Sequence, residues 1–449
     1  MDSEEKCFKV FMFPWLAHGH ISPFIDLARN LAGRNFRSYI CSTPANLSSI
    51  EGKICRNNYS GDIRLVELHL PSTHPELPPQ RHTTNGLPLS LHSSLRKALK
   101  AAKPSFSNIL DDLRPDLVIH DVVLPWAGTI ASRRGIPSVA FFTSGATMFS
   151  YFCHLGMRPG IEFPFPAIHL SEYQLSKAHA NVESATSKEK DADDEAYQTS
   201  DGIILVNTSM EIEGKYVDYL SKMIKKEIVA VGALVRDPII NRDEDAELME
   251  WLGAKEQLST VLVSFGSEYF LNKDEIEELA HGLESSNLNF IWVIRFAKGE
   301  EIKIEDVLPR GFLEKIGERG RIVENWAPQA KILSHESVGG FVSHCGWNSL
   351  KESIDYGVPI IAMPMHLDQP MNAKLVVELG VGIEVRRDEK GRLDREEISK
   401  VIERVIFEKI GEDLRSRIGE LRESIKMTSK EEFEVIVKKL EQLCARKDI

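Results

Sequence analysis

No C-x-x-C pair and no evenly spaced cysteine framework occur in this chain of 449 residues. Its six cysteines, Cys7, Cys41, Cys55, Cys153, Cys345 and Cys444, lie scattered. That pattern suits reduced thiols in a cytosolic protein and argues against a disulfide scaffold or a structural zinc site. A membrane-spanning run is missing as well: the apolar opening "VFMFPWLAHGH" is too short, and "MDSEEKCFK" before it is acidic where a secretory signal is basic. There is no lipidation motif and no short-period repeat. Basic residues are outnumbered too, 55 Lys and Arg against 67 Asp and Glu. A formal net charge of −12 argues against a nucleic-acid or anionic-membrane partner, because phosphate binding wants a basic face. The expectation is a cytoplasmic protein without membrane insertion.

What is present is a globular composition, 42% hydrophobic and 27% charged, in a chain long enough for two cores of roughly 200 residues each. "KVFMFP" (9–14), "RSYICST" (37–43), "IRLVELHL" (63–70), "DLVIHD" (116–121) and "PSVAFF" (137–142) read as strands with amphipathic helices between them. The pattern restarts with "STVLVSFG" (259–266), "NFIWVIRF" (289–296), "GRIVEN" (320–325), "VGGFVSH" (338–344) and "VPIIAMP" (358–364). Continuous apolar runs separated by helices predict buried parallel sheets, so the fold class is α/β with two doubly wound, Rossmann-like domains. The expected boundaries are 1–235 and 248–428, with "GALVRDPIINRDEDAE" (232–247) as linker and 184–202 as a solvated loop.

The densest cluster of candidate ligand groups follows a predicted strand. "VGGFVSH" runs into "CGWNSLKESIDYG", where Leu350 and Ile354 share a helix face and Gly357 ends the helix. A helix N-terminus in a strand-to-helix turn attracts anions through unsatisfied N–H groups and the helix dipole. Gly346 lets backbone approach the anion, and His344, Asn348 and Ser349 add donors. An ordinary N-cap would look the same, but the flanks point further. In "NWAPQAKIL" (325–333), Trp326 can stack on a planar ring while backbone at Ala327 and the Gln329 amide read its edge. Glu352 can accept from ribose hydroxyls, and Asp368 with Gln369 in "MHLDQP" (365–370) suit sugar hydroxyls. Together these describe a nucleotide sugar.

The run from Trp326 to Gln369 resembles the signature box of plant UDP-dependent glycosyltransferases, and the likeness extends over essentially the whole chain, including "FPWLAHGHISPF", "HTTNGLP" and "VLVSFGSEYF". The resemblance implies the GT-B arrangement, two Rossmann-like domains facing a cleft, with a last helix (429–449) packing back on the N-terminal domain. It implies that Trp326 stacks on uracil, that Gln329 and Glu352 hold the uridine, and that Ser267 joins His344, Asn348 and Ser349 on the diphosphate. Trp347, Asp368 and Gln369 would face the hexose. In the family Gln at the last box position accompanies glucose, so UDP-glucose is the expected donor co-substrate, with no other cofactor and no metal.

A reacting base is sought in the first half. His20 follows the first strand in "HGHISP", and Asp121 ends "DLVIHD", so both strand ends face one crevice. A carboxylate beside an imidazole fixes its tautomer and raises its basicity. The matching pair is the family's catalytic dyad; the neighbours His18 and His120 are assigned no role. Asp191-Ala192-Asp193 and Asp243-Glu244-Asp245 look like metal-holding D-x-D motifs but sit in polar loops, where solvated charge is the simpler reading. His18-x-His20 also resembles the metal pair of some hydrolase barrels, yet the midway restart argues against a single barrel. A nucleotide-sugar binder without transfer is the remaining rival, and an intact His20 and Asp121 argue against it. The acceptor is expected to be a small-molecule glycoside or aglycone, lined by 79–91 and 143–152. The N-terminal motifs look most like the branch that adds glucose to a sugar already on a flavonoid or terpenoid glycoside, 1→2 or 1→6. The protein is expected to act as a monomer.

Overall fold

A computed structural model describes residues 7–55, 61–71, 75–176, 200–232, 234, 245–296 and 303–445. Most of the expected linker, most of the 184–202 loop and nearly all of both D-x-D stretches lie outside the described residues. The chain forms two compact units. The first comprises Met1–Gly160, Glu183–Leu234 and Met427–Ile449, and the second Ile161–Val182 and Val235–Lys426.

The first unit is built on seven strands: β1 (Phe8–Phe13), β2 (Phe36–Ser42), β3 (Ile63–Glu67), β4 (Leu117–Asp121), β5 (Ser138–Phe142), β6 (Ile203–Val206) and β7 (Glu227–Ala230). They pair in the order β3-β2-β1-β4-β5-β6-β7, and every pair is parallel. Parallel strands buried on both faces need unbroken apolar runs. In β1, Val10 and Met12 belong to one core cluster and Phe11 and Phe13 to another, so the strand feeds both faces. The helix α1 (His18–Leu31) lays Ile21, Phe24, Ile25, Leu27, Ala28 and Leu31 into the first cluster.

The second unit has six strands: β8 (Thr260–Ser264), β9 (Asn289–Ile294), β10 (Gly320–Glu324), β11 (Val338–Ser343), β12 (Ile360–Ala362) and β13 (Gly382–Glu384). Their order is β10-β9-β8-β11-β12-β13, again all parallel. This is the doubly wound order of dinucleotide-binding folds, and the chain reverses direction across the sheet between β8 and β11. In the first unit the same reversal falls between β1 and β4.

Three strands escape the sequence reading: β6 "IILV", β7 "EIVA" and β13 "GIE". Each has only three or four residues, too few to set a period. The expected strand 63–70 stops at Glu67. Among the described residues no helix is long and apolar enough to cross a membrane.

Candidate active site

Two groups of candidate residues occupy the two reversal points, one in each unit. In the first unit, His20 lies in the opening turn of α1 and Asp121 is the last residue of β4. The imidazole Nδ1 stands 2.7 Å from Asp121 Oδ2; the histidine side chain is 30% exposed and the carboxylate 0%. So the ring can meet a ligand while its partner stays dry. Asp121 is also bonded by the Trp15 N–H at 3.1 Å and the Val123 N–H at 3.2 Å, which offsets burial of its charge. A carboxylate only accepts, so Nδ1 carries the hydrogen and the neutral ring holds its basic lone pair on Nε2.

Sequence reasoning placed Thr143 only at the start of the 143–152 stretch expected to line the acceptor and missed its contact with His20. Its Oγ1 lies 3.0 Å from His20 Nδ1, just beyond the end of β5, the strand beside β4. Its carbonyl accepts from Asn207 Nδ2 at 3.0 Å. The following helix α2 (Ala146–Met157) is capped by Glu213, whose carboxylate accepts from the Ala146 and Thr147 N–H groups at 2.8 and 2.7 Å. Burial raises the Glu213 pKa, and those bonds oppose it. The available signal was position: a hydroxyl residue one step past a strand adjoining the reversal. His120 is fully buried, with Nδ1 on the Asp121 carbonyl at 3.0 Å and its pKa lowered by burial. His82, Thr83 and Thr84 are buried too, and the Thr84 N–H bonds the Leu16 carbonyl at 3.0 Å, pinning that loop beside the segment that leads into His20.

In the second unit the turn after β11 carries the residues expected to meet the diphosphate. The helix α3 (Trp347–Tyr356) starts after Gly346 with no side-chain cap, so its first N–H groups have no intrahelical acceptor. Cys345 adopts a left-handed φ of 62°, which turns the chain from strand into helix. The His344 ring fits between two glycines: a Cβ on either Gly266 or Gly346 would collide with its imidazole. Gly266 follows β8, so both chain segments at the reversal close on this ring. Burial, followed by the charge of His366, pushes the His344 pKa down to about 3. The ring is therefore neutral at physiological pH and brings no positive charge to a ligand.

The other donor-site candidates cluster on the same unit. Trp326 is 47% exposed, as a stacking platform must be. Gln329 opens a short helix, α4 (Gln329–Leu333), and its Nε2 donates to Glu352 Oε2 at 2.7 Å and Ser349 Oγ at 3.2 Å, joining three expected uridine and diphosphate residues. Ala327 and Trp347 are buried, while Ser267, Gly346, Asn348, Ser349, Glu352 and Asp368 are half-buried. Gln369, which opens the helix α5 (Gln369–Leu379), is 4% exposed. Its Oε1 accepts from the Met365 and His366 N–H groups, both at 3.0 Å, and its Nε2 meets His366 Nδ1 at 2.9 Å. The amide thus braces its own loop and keeps one N–H for other use.

The model of the family "UDP-glucoronosyl and UDP-glucosyl transferase" matches residues 199–415, and that of "Glycosyltransferase, N-terminal domain" matches residues 7–236. The chain is 53% identical to the beta-D-glucosyl crocetin beta-1,6-glucosyltransferase of Gardenia jasminoides, over 96% of this chain and 98% of that one. It is 47% identical to a mogroside IIIx synthase of Siraitia grosvenorii, over 97% and 93%. The crystal structure of TcCGT1 in complex with UDP matches with a TM-score of 0.81 at 26% identity, covering 97% of this chain and 99% of that one. The protein belongs to the UDP-glycosyltransferases. It is a hexosyltransferase of the GT-B fold.

Proposed function

We propose that the protein transfers glucose from UDP-glucose, with inversion at the anomeric carbon, to a hydroxyl of a glucose already carried by a small-molecule natural product. The observation that carries the transfer reading is the His20–Asp121 pair, an accessible imidazole whose tautomer is fixed by a buried carboxylate. In this reading Nε2 of His20 takes the acceptor hydroxyl proton as that oxygen bonds the anomeric carbon. The bond from that carbon to the diphosphate breaks on the opposite face, and UDP leaves with the electron pair. Asp121 stabilises the imidazolium until its proton passes to solvent.

On the donor side, Trp326, Ala327, Gln329 and Glu352 hold the uridine. Ser267, His344, Gly346, Asn348 and Ser349 receive the diphosphate, and Trp347, Asp368 and Gln369 orient the hexose. Because His344 is neutral, the charge on departing UDP is met by the α3 N-terminus and hydrogen bonds. Glucose as donor is supported by Gln369. A sugar hydroxyl as acceptor is supported by the 53% identity to an enzyme named for adding glucose to a glucosyl group, and that name favours the 6-hydroxyl. Mass spectrometry of reactions with UDP-glucose and paired aglycones and β-monoglucosides tests this. Diglucosides from the monoglucosides are expected, and products from aglycones alone would defeat the sugar-extension reading.

A further inference from the structure

The turn that receives the diphosphate and the carboxylate assigned to the hexose are held by one side chain that the mechanism does not use. Asn372 lies in the first turn of α5 and is fully buried. Its Nδ2 donates to the Cys345 carbonyl at 2.9 Å and to Asp368 Oδ2 at 2.9 Å, which uses both amide hydrogens. Both partners only accept, so the amide orientation is forced. Its Oδ1 is buried with no hydrogen-bond partner among the described residues. An unpaired buried carbonyl costs stability that an apolar residue of similar size would not incur, so packing alone does not call for an amide here.

We infer that Asn372 is a positioning residue for glycosyl transfer, which locks the left-handed Cys345 peptide and the Asp368 carboxylate into one rigid unit. The first bond fixes the peptide that leads into Gly346 and so aims the α3 N–H groups. The second holds the Asp368 carboxylate against the first turn of α5 and so fixes the orientation in which it meets a hexose hydroxyl. The inference rests on the donor-site reading above. Uridine would be held by Trp326, Gln329 and Glu352, none of which Asn372 bonds, so its effect should grow with each part added to the nucleoside.

The test measures affinity for uridine and UDP, and kcat/KM for UDP-glucose, in wild type, Asn372→Ala and Asn372→Asp. Uridine affinity should be unchanged in both variants and UDP affinity weakened. A misplacement of the order of 1 Å should lower kcat/KM by about 100-fold. In Asn372→Asp the introduced carboxyl repels Asp368 until one proton is shared between them. Its loss should therefore shrink as pH falls, while that of Asn372→Ala should not. The neighbouring titratable groups, His344, Cys345, His366, Glu268 and Glu384, are common to all three proteins, so wild type supplies their pH dependence. Equal loss of all three ligands, no loss, or a pH-independent Asn372→Asp would overturn the inference. Failure of wild type to bind UDP would instead overturn the donor-site reading.

Discussion

Below about pH 6.5 an unfolded histidine takes up a proton, whereas His344 in the folded chain resists it down to about 3. Between those values the unfolded state binds more protons, so stability falls as pH falls through that window. His120 and His366 are shifted the same way by burial and add to the slope. The thermal midpoint should drop on acidification from pH 7 to pH 5, and His344→Gln should show a shallower drop. An equal slope in the variant would remove His344 from the account. The residue types themselves made much of the site legible: a tryptophan, a glutamine and a glutamate have little reason to follow strands unless they meet a ligand. The contact of Thr143 with His20 and the role of Asn372 were not legible. A threonine after a strand is common, and the Cys345 carbonyl that Asn372 holds is 27 positions away.

The sheets were readable where strands are central and the apolar run is unbroken, as in β1, β5 and β8. They were not readable at the far edge, where β6, β7 and β13 offer three or four residues each. The last helix, α6 (Lys409–Ala445), spans 37 residues and is divided between the two units at Lys426. Beyond that point Phe433, Ile436, Val437, Leu440 and Leu443 join the cluster that also holds Val10, Met12 and Phe24. Ile436 is fully buried there. Truncating Ile436→Ala should cost about 2–5 kcal/mol in the first unit by urea denaturation, with UDP affinity unchanged because the proposed donor residues belong to the second unit. Loss of UDP binding without loss of stability would contradict that division.

For the whole chain, the midway restart of the strand pattern foretold two doubly wound units, and the reversal points of both sheets collected the candidate residues. The grouping of Ile161–Val182 with the second unit left no mark in the sequence. It is carried by contacts such as Tyr173 packed on Gly391 and Gln174 bonded to Glu384 at 3.4 Å, which pair residues more than two hundred positions apart. The proposed base belongs to the first unit and the proposed donor residues to the second. The single claim on which the proposed transfer rests is that the first unit's imidazole deprotonates the acceptor. The most direct measurement is turnover by His20→Ala alongside its affinity for UDP-glucose. The account predicts a fall in kcat of about 10²–10⁴-fold with donor affinity retained; turnover at the wild-type rate would contradict it.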